Sequence, residues 1–159
     1  MDTVLFLCTG NYYRSRFSEE YFNYRAIGSS MKWRADSRGL QQNMSTLNNV
    51  GSISSTALES LREIDISPIM ASRMPLSVSI RDFQNSTKII ALCEREHRPL
   101  MADLFPMYEN MIEYWDIEDR PLWRPEHALP LLQIRIDDFI RQINSVPLNS
   151  TLANEIPQE

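Results

Sequence analysis

The chain has 159 residues, of which 43% are hydrophobic, which fits one domain with a sizeable core. Its net charge is −5 and it contains no block of Lys or Arg, which argues against nucleic acid as a partner. No stretch approaches the roughly 18 apolar residues of a membrane span, and "TVLFLC" is too short for a signal sequence and lacks its basic flank. We therefore expect a cytoplasmic protein with no membrane partner, whose two cysteines form no disulfide framework.

The first third of the chain predicts two strands joined by a helix. Residues 3–8 are continuously apolar, as expected of a strand that is covered on both faces in a parallel sheet. Ser15 is the predicted N-cap of a helix that ends at Gly28. The partial alternation in "MKWRADSRGL" predicts a second strand that ends near Asp36, and residues 41–50, rich in Asn, Gln and Ser, predict a loop.

The remainder predicts two more strands and two more helices. Residues 53–64 place their apolar side chains on one helical face, which predicts an amphipathic helix. Residues 87–93 and 111–117 predict buried strands. Residues 126–143 predict a final amphipathic helix, with Pro130 near its start.

Strands that alternate with helices predict an α/β fold with right-handed βαβ units around a parallel sheet. We assign residues 1–146 to this domain and residues 147–159, which are polar and contain two prolines, to a flexible C-terminal tail. Ligands of such sheets bind beyond the carboxyl ends of the strands. Cys8, Asp36, Cys93 and the "DIEDRP" loop all follow predicted strand ends, so we expect a site at that edge.

The stretch "CTGNYYRS", residues 8–15, predicts an anion-binding loop between the first strand and the first helix. Backbone N–H groups of such a turn can surround an oxyanion, and the positive end of the helix adds to their field. Gly10 and Asn11 are residue types that adopt the left-handed backbone conformation at a lower energetic cost than other residues. The Arg14 guanidinium can bind two oxygens at once. Cys8 would then be a thiolate nucleophile, with a hydrogen bond from Ser15 to its sulfur.

The segment "VLFLCTGNYYRSRFSE" resembles the opening of the low-molecular-weight protein tyrosine phosphatases and of their relatives, the thioredoxin-coupled arsenate reductases. The resemblance continues in "ADSRGL", "GSISSTALESLREIDI", "SRMPLSVSIRDFQNSTKIIALC" and the acidic loop near Asp119, and covers roughly residues 3–145. It implies a four-stranded parallel sheet flanked by helices and a cysteinyl-phosphate intermediate, with no metal and no organic cofactor. It also implies a phosphorylated protein or a small aryl phosphate as substrate, and inhibition by phosphate-like oxyanions.

The same resemblance assigns roles to individual residues. Cys8, Arg14 and Asp119 match the catalytic positions. The residues that it places around the phosphate are Thr9, Gly10, Asn11, Tyr12, Tyr13, Arg14 and Ser15. Cleavage of the ester needs a proton donor for the leaving oxygen, and spacing from Trp115 matches Asp119 to that general acid. Arg120 stands where the family has proline, so Asp116 remains a second candidate for the acid.

Four positions depart from the family pattern. Tyr13 replaces a second cysteine that can trap the oxidised nucleophile as a disulfide, and Tyr12 replaces an aliphatic residue of the pocket wall. We expect this pair of aromatics to favour phosphotyrosine over phosphoarginine. Arg16 replaces proline in the first helical turn, either as a positive charge near the site or as a plain surface residue. Met70 replaces a histidine that supports the loop asparagine, so that support must come from elsewhere.

Cys93 leaves two further hypotheses open. Phosphatases of this type usually have Asp at this position, whereas the arsenate reductases have Cys; their cycle uses a third cysteine, which "EREHRPL" lacks. Cys93 is therefore either a redox partner of Cys8, with an external thiol completing arsenate reduction, or a small buried side chain. A third hypothesis, suggested by Arg120 and Met70, is an oxyanion-binding relative with weak catalysis. The isolated His97 and His127 show no metal-ligand spacing.

Overall fold

In the computed structural model, the chain is described from residue 1 to residue 155, and its side chains are described up to residue 145. Four parallel strands form one sheet in the order β2-β1-β3-β4. The strands are β1 (Asp2–Cys8), β2 (Trp33–Gly39), β3 (Lys88–Ala91) and β4 (Glu113–Tyr114). The predicted fold class, an α/β protein with a four-stranded parallel sheet flanked by helices, is confirmed.

Within the described residues, five α-helices cover the two faces of the sheet. They are α1 (Arg14–Gly28), α2 (Ser55–Glu63), α3 (Ile80–Asn85), α4 (Glu94–Leu104) and α5 (Pro125–Glu155). One core cluster joins Val4 and Phe6 of β1 to side chains of α1, α2 and α5. The other joins Leu5 and Leu7 to Phe83 of α3 and to Met101 of α4. Alternate residues of β1 therefore point into opposite cores, which explains why its sequence is apolar without interruption.

The parallel register brings the carboxyl ends of three strands together. Cys8 pairs with Gly39 of β2, and Leu7 pairs with Ala91 of β3. Gly39 allows β2 to pass close beneath the turn that follows β1: a Cβ atom there would lie 2.7 Å from the carbonyl oxygen of Thr9 and 3.0 Å from the amide nitrogen of Asn11. Only glycine fits this approach without a shift of the backbone.

Two local predictions were wrong, and a third gains a detail. Ser15 is not the N-cap, because α1 begins at Arg14 and Tyr13 flanks it, while the Ser15 side chain is hydrogen-bonded within the turn. Strand β2 continues past Asp36 to Gly39, since it keeps pairing with β1 up to Cys8. The predicted loop over residues 41–50 contains a 3₁₀ turn, Met44–Leu47.

Helices α3 and α4 were not predicted from the sequence, and α5 is longer than predicted. For α3 the signal was present as a capping box, in which Asp82 accepts from the backbone of Ser79. Helix α5 runs to Glu155, beyond the predicted end at 143. The domain boundary at 146 stays a prediction, because the side chains of the proposed tail, 147–159, lie outside those described. Among the described residues, no helix is long and apolar enough to cross a membrane.

Candidate active site

A cavity of about 300 Å³ opens at the carboxyl edge of the sheet, beside the turn formed by residues 8–15, here called the 8–15 loop. Its walls come from the 8–15 loop, the segment before α2, the first turn of α4 and the loop after β4. The lining residues are Cys8, Thr9, Gly10, Tyr12, Tyr13, Arg14, Leu47, Asn49, Glu96, Asp119 and Arg120. The structure thus brings Cys8 and Arg14 of the 8–15 loop together with Asp119, which lies 105 residues beyond Arg14 in the sequence.

Cys8 ends β1 at the base of this cavity and is 3% exposed. Its sulfur lies 3.0 Å from the hydroxyl oxygen of Ser15. The amide of Asn11 donates to that same hydroxyl oxygen at 2.9 Å. Because Ser15 accepts from Asn11, its own hydrogen is free to point at a Cys8 thiolate. The predicted hydrogen bond between Ser15 and Cys8 therefore has the required geometry.

Asn11 adopts the left-handed backbone conformation in the 8–15 loop, with φ 48°. Its side-chain carbonyl accepts from the guanidinium of Arg73 at 3.1 Å and from the backbone of Leu76 at 3.0 Å. Its amide also donates to Ser37 at 2.9 Å. Support for the asparagine carbonyl thus comes from Arg73, three positions beyond Met70, and from the backbone of Leu76. The expectation for Gly10 was wrong, since the positive φ belongs to Asn11.

Arg73 also forms an ion pair with Glu19 of α1, at 2.9 Å. Glu19 is 2% exposed, and burial raises the pKa of its carboxyl group, against the opposing effects of Ser37 and Arg73. Ser37 donates to the same carboxylate at 2.6 Å. A buried network of Glu19, Arg73 and Ser37 therefore fixes Asn11 from behind the cavity. Arg73 was not predicted as a site residue because it lies in a loop that is far from residues 8–15 in the sequence.

Arg14 lies at the start of α1 and is 1% exposed. One terminal nitrogen, Nη1, donates to the backbone carbonyl of Ile117 at 2.9 Å. The other, Nη2, lies 2.8 Å from Oε2 of Glu96 and 3.3 Å from Oδ2 of Asp119. The guanidinium plane is thus fixed from the loop after β4.

The two candidate acids occupy different places. Asp119 lines the cavity, whereas Asp116 is exposed and does not line it. Asp116 instead forms an isolated antiparallel bridge with Cys93. The backbone of Arg120 donates to the carboxylate of Asp119 at 2.8 Å. Of the two carboxylates, only Asp119 is placed to reach a group bound beside Cys8.

Glu96 is a cavity residue that the sequence analysis did not identify. Its Oε2 accepts from the Thr9 hydroxyl and from Arg14, and lies 3.0 Å from Nε2 of His97. Although burial alone would raise it, the pKa of Glu96 is held well below its ordinary 4.5 by His97, Arg14 and Thr9. The carboxylate is therefore an anion beside the arginine of the cavity. Its position in the first turn of α4 could be recognised only once that helix was known.

A family model described as low molecular weight phosphotyrosine protein phosphatase matches residues 3–121. The match covers most of the chain and includes the 8–15 loop, Arg73, Glu96 and Asp119. The chain belongs to the low molecular weight phosphotyrosine protein phosphatase family. The family resemblance read from the sequence is confirmed.

Solved structures of this phosphatase family and its relatives share the fold. A low molecular weight protein tyrosine phosphatase from T. tengcongensis is 22% identical with a TM-score of 0.72, over 89% of this chain and 99% of that one. The YwlE arginine phosphatase, a Bacillus subtilis protein, is 17% identical with a TM-score of 0.66, over 89% and 92%. A thioredoxin-dependent arsenate reductase from Corynebacterium glutamicum is 22% identical with a TM-score of 0.66, over 92% and 63%. A search of curated protein sequences gave no match.

Two departures from the phosphatase family pattern have a clear structural setting. Tyr13 is 5% exposed, its hydroxyl has no hydrogen-bond partner among the described residues, and the guanidinium carbon of Arg120 lies 5.2 Å from its ring centre. Burial, followed by the charge of Asp119, raises the pKa of Tyr13 to about 12. Arg16 is 1% exposed and donates to backbone carbonyls of Ser52 and Met70, so it is neither a surface residue nor part of the cavity lining.

The second cysteine of this phosphatase-family chain is also buried. Cys93 follows β3, precedes α4 and is 1% exposed. Burial raises the pKa of its thiol, which disfavours the thiolate at neutral pH. Cys93 does not line the cavity that contains Cys8.

Proposed function

We propose that this protein is a phosphatase that hydrolyses phosphotyrosine-type phosphomonoesters through a cysteinyl-phosphate intermediate. One observation carries the proposal: Cys8 and Arg14 of the 8–15 loop and Asp119 of the loop after β4 line one cavity of about 300 Å³. This set contains a nucleophile, a cation for the phosphoryl oxygens and a carboxyl group for the leaving oxygen. Membership of the family supports each of these assignments.

In the first step, the Cys8 thiolate attacks phosphorus in line with the leaving oxygen. The S–P bond forms as the P–O bond to the leaving group breaks. Asp119 supplies the proton that converts the leaving phenolate to a phenol. Arg14 and the N–H groups of the 8–15 loop stabilise the charge on the equatorial oxygens.

In the second step, water attacks the cysteinyl phosphate. Asp119, now ionised, accepts a proton from that water, the P–O bond to water forms and the S–P bond breaks. Cys8 leaves as a thiolate, and the hydrogen bond available from Ser15, whose oxygen lies 3.0 Å from the sulfur, stabilises it. Inorganic phosphate is then released, and the enzyme returns to its starting state.

The cavity walls favour an aryl leaving group. Tyr12 and Tyr13 both line the cavity, and their rings offer apolar faces next to the 8–15 loop. The preferred substrate is therefore a phosphotyrosine side chain rather than a phosphoarginine. Because Cys8 must stay reduced to act, we place the enzyme in the cytoplasm.

The decisive experiment compares wild type, Cys8→Ser and Asp119→Asn on an aryl phosphate. Cys8→Ser should have no measurable turnover, because the nucleophile is gone. Asp119→Asn should lower kcat by about 10²–10⁴-fold, the usual contribution of general acid catalysis. Asp116→Asn, a matched change of an exposed carboxylate outside the cavity, should retain wild-type kcat. Undiminished activity of Cys8→Ser would refute the proposal, and tight phosphate binding without turnover by wild type would favour an oxyanion-binding role.

Arsenate reduction is a second candidate because Cys93 follows β3, the strand that pairs with β1 next to Cys8. In that reaction the thiols would supply two electrons to arsenate, and an external thiol would be oxidised to regenerate them. Arsenate-dependent consumption of thioredoxin or glutathione that disappears in Cys93→Ser would support it. Consumption that Cys93→Ser leaves unchanged would exclude a role for Cys93.

A further inference from the structure

The cavity places a carboxylate where an oxyanion needs positive charge. This inference rests on the proposed function, in which the 8–15 loop binds a phosphoryl group. Glu96 lines the same cavity as Cys8, and its Oε2 lies 2.8 Å from Nη2 of Arg14. The hydroxyl of Thr9 donates to the same oxygen. Glu96 therefore contacts both a side chain of the loop and its only arginine.

Arg14 does not depend on Glu96 for its orientation. Its Nη1 donates to the Ile117 carbonyl at 2.9 Å, and its side chain is 1% exposed within the packed start of α1. Of the five guanidinium hydrogens, those of Nε, which has no partner among the described residues, and of Nη2 form a fork that can bind two oxygens of one anion. The two hydrogens of Nη2 are directed to Glu96 and Asp119. An oxyanion that binds Nε and Nη2 together must displace one of these carboxylates.

Asp119 is the carboxylate expected to give way. Its contact with Nη2 is the longer one, 3.3 Å against 2.8 Å, and its side chain is 41% exposed against 25% for that of Glu96. Asp119 must also reach the leaving oxygen in the proposed mechanism. Glu96 remains, held by Thr9 and beside His97, and keeps its charge next to the bound anion.

The other charged groups around Glu96 do not cancel that charge. His97 lies on the same helix, and burial lowers the pKa of its imidazole, so it is neutral at neutral pH. Arg95 forms an ion pair with Glu118 at 2.7 Å, and neither residue lines the cavity. Glu118 and the Cys8 thiolate add negative charge. Arg14 is therefore the one cation that Glu96 contacts within the described part of the chain.

We infer that Glu96 is an affinity-setting residue: its carboxylate offsets the charge of Arg14, weakens the binding of dianionic oxyanions to the 8–15 loop and so favours release of product phosphate. The Glu96 carboxylate and the bound oxyanion are both negative and share one guanidinium group, so they repel each other strongly in this partly buried site. The carboxylate acts on the bound substrate and on the product alike. Its effect therefore falls on KM and on product affinity together.

The test measures the affinity for inorganic phosphate at about pH 7.5 by calorimetry, in wild type and in Glu96→Gln. The amide keeps the shape and can still accept from Thr9 and Arg14, but it carries no charge. We expect the Kd for phosphate to fall by about tenfold, since removal of one close repulsion is worth about that factor. KM for an aryl phosphate should fall in parallel. Glu96→Ala, which also removes the charge, should shift the Kd in the same direction.

Glu94→Gln is the matched control. Glu94 also lies in the first turn of α4, and its carboxylate pairs with Arg98 at 3.0 Å, outside the cavity. This variant removes the same charge from the same helix turn, so its Kd for phosphate should stay within about twofold of wild type. An equal shift in Glu94→Gln would show that net charge alone is responsible and would overturn the inference.

The remaining outcomes separate this inference from the proposed function. A higher Kd and a higher KM in Glu96→Gln would overturn the inference, because Glu96 would then be needed to orient Arg14. Phosphate binding by neither protein would overturn it too. Tighter phosphate binding by Glu96→Gln, in a protein whose wild type does not turn over an aryl phosphate, would support the inference while the proposed catalysis fails.

Discussion

Arg73 shows at the scale of a single residue how this chain replaces a missing support. Its guanidinium contacts the Asn11 carbonyl at 3.1 Å, the Ser37 hydroxyl at 2.9 Å and the Glu19 carboxylate at 2.9 Å. Arg73 is therefore the link between α1, β2 and the 8–15 loop. A change there should affect the loop without touching a catalytic group.

We predict that Arg73→Met lowers kcat/KM for an aryl phosphate by about 10–100-fold, the effect of a displacement of about 1 Å in a catalytic site. The physical reason is that Asn11, at φ 48°, loses the side chain that fixes its amide toward Ser15. The same variant should lose about 3–5 kcal/mol of unfolding free energy, because buried Glu19 is left without its cation. Steady-state kinetics and urea unfolding measure the two effects.

The double variant Arg73→Met/Glu19→Gln separates activity from stability. Neutralising Glu19 removes the uncompensated charge, so most of the unfolding free energy should return. The activity should stay low, because Asn11 still lacks the hydrogen bond from residue 73. Recovery of activity along with stability would show that Arg73 acts on the fold alone.

At the scale of the elements, α4 is a helix that the sequence pattern did not predict. Helix α5 was predicted because its apolar residues repeat with helical spacing over many turns. Helix α4, "EREHRPLMADL", buries only His97 and Met101 and contains Pro99, so periodicity did not reveal it. Its position is fixed by packing on the sheet and by hydrogen bonds with neighbouring segments, such as that from the Glu94 backbone to Trp115 at 2.8 Å.

The residues of the site also differ in whether the sequence could predict them. The position of the 8–15 loop beside the cavity was predictable because it follows from a short linear motif between a strand and a helix. Glu96 and Arg73 were not, because each contacts the loop through side chains across long sequence distances. Asp119 was preferred over Asp116 from the family spacing, and the structure adds that only Asp119 of the two lines the cavity. Contacts of this kind depend on tertiary packing, which no local pattern records.

His97 gives α4 a pH-dependent stability. Its Nδ1 accepts from the backbone of Cys93 at 3.1 Å, so the proton of the neutral ring lies on Nε2, 3.0 Å from Glu96. Burial lowers the pKa of His97 below its ordinary 6.5, more than Glu96 raises it. Below about pH 6.5 the unfolded chain therefore binds a proton that the folded protein does not bind until lower pH.

We predict that the unfolding free energy falls as the pH drops from about 7.5 to about 5.5, with roughly 1 kcal/mol of this loss due to His97. His97→Gln should abolish that part, because glutamine does not titrate. Urea unfolding at the two pH values measures it. His127→Gln changes the other histidine, which is exposed, and should give a loss equal to that of wild type. A His97→Gln curve parallel to wild type would contradict the prediction.

At the scale of the whole molecule, one core holds the two halves of the site in register. Phe139 of α5 packs against Phe22 of α1 at 6.1 Å, Trp33 of β2 at 6.2 Å and Trp115 at 6.4 Å between ring centres. Trp115 lies just after β4, in the segment that leads to Asp119. The aromatic core therefore connects α1, which carries Arg14, to the loop that carries the acid.

A shortened chain can test the domain boundary predicted at residue 146. Among the side chains that the structure describes, the last one packed on the core is Ile143. A chain that ends after Ser145 should keep wild-type kcat and lose less than about 1 kcal/mol of unfolding free energy, since it retains the described core. Phe139→Ala, in contrast, should lose about 3–5 kcal/mol, because it opens a cavity where α5 meets three other elements. Chemical unfolding of the two proteins beside wild type makes the comparison. If the shortened chain were as unstable as Phe139→Ala, residues 146–159 would belong to the folded domain and the boundary at 146 would be wrong.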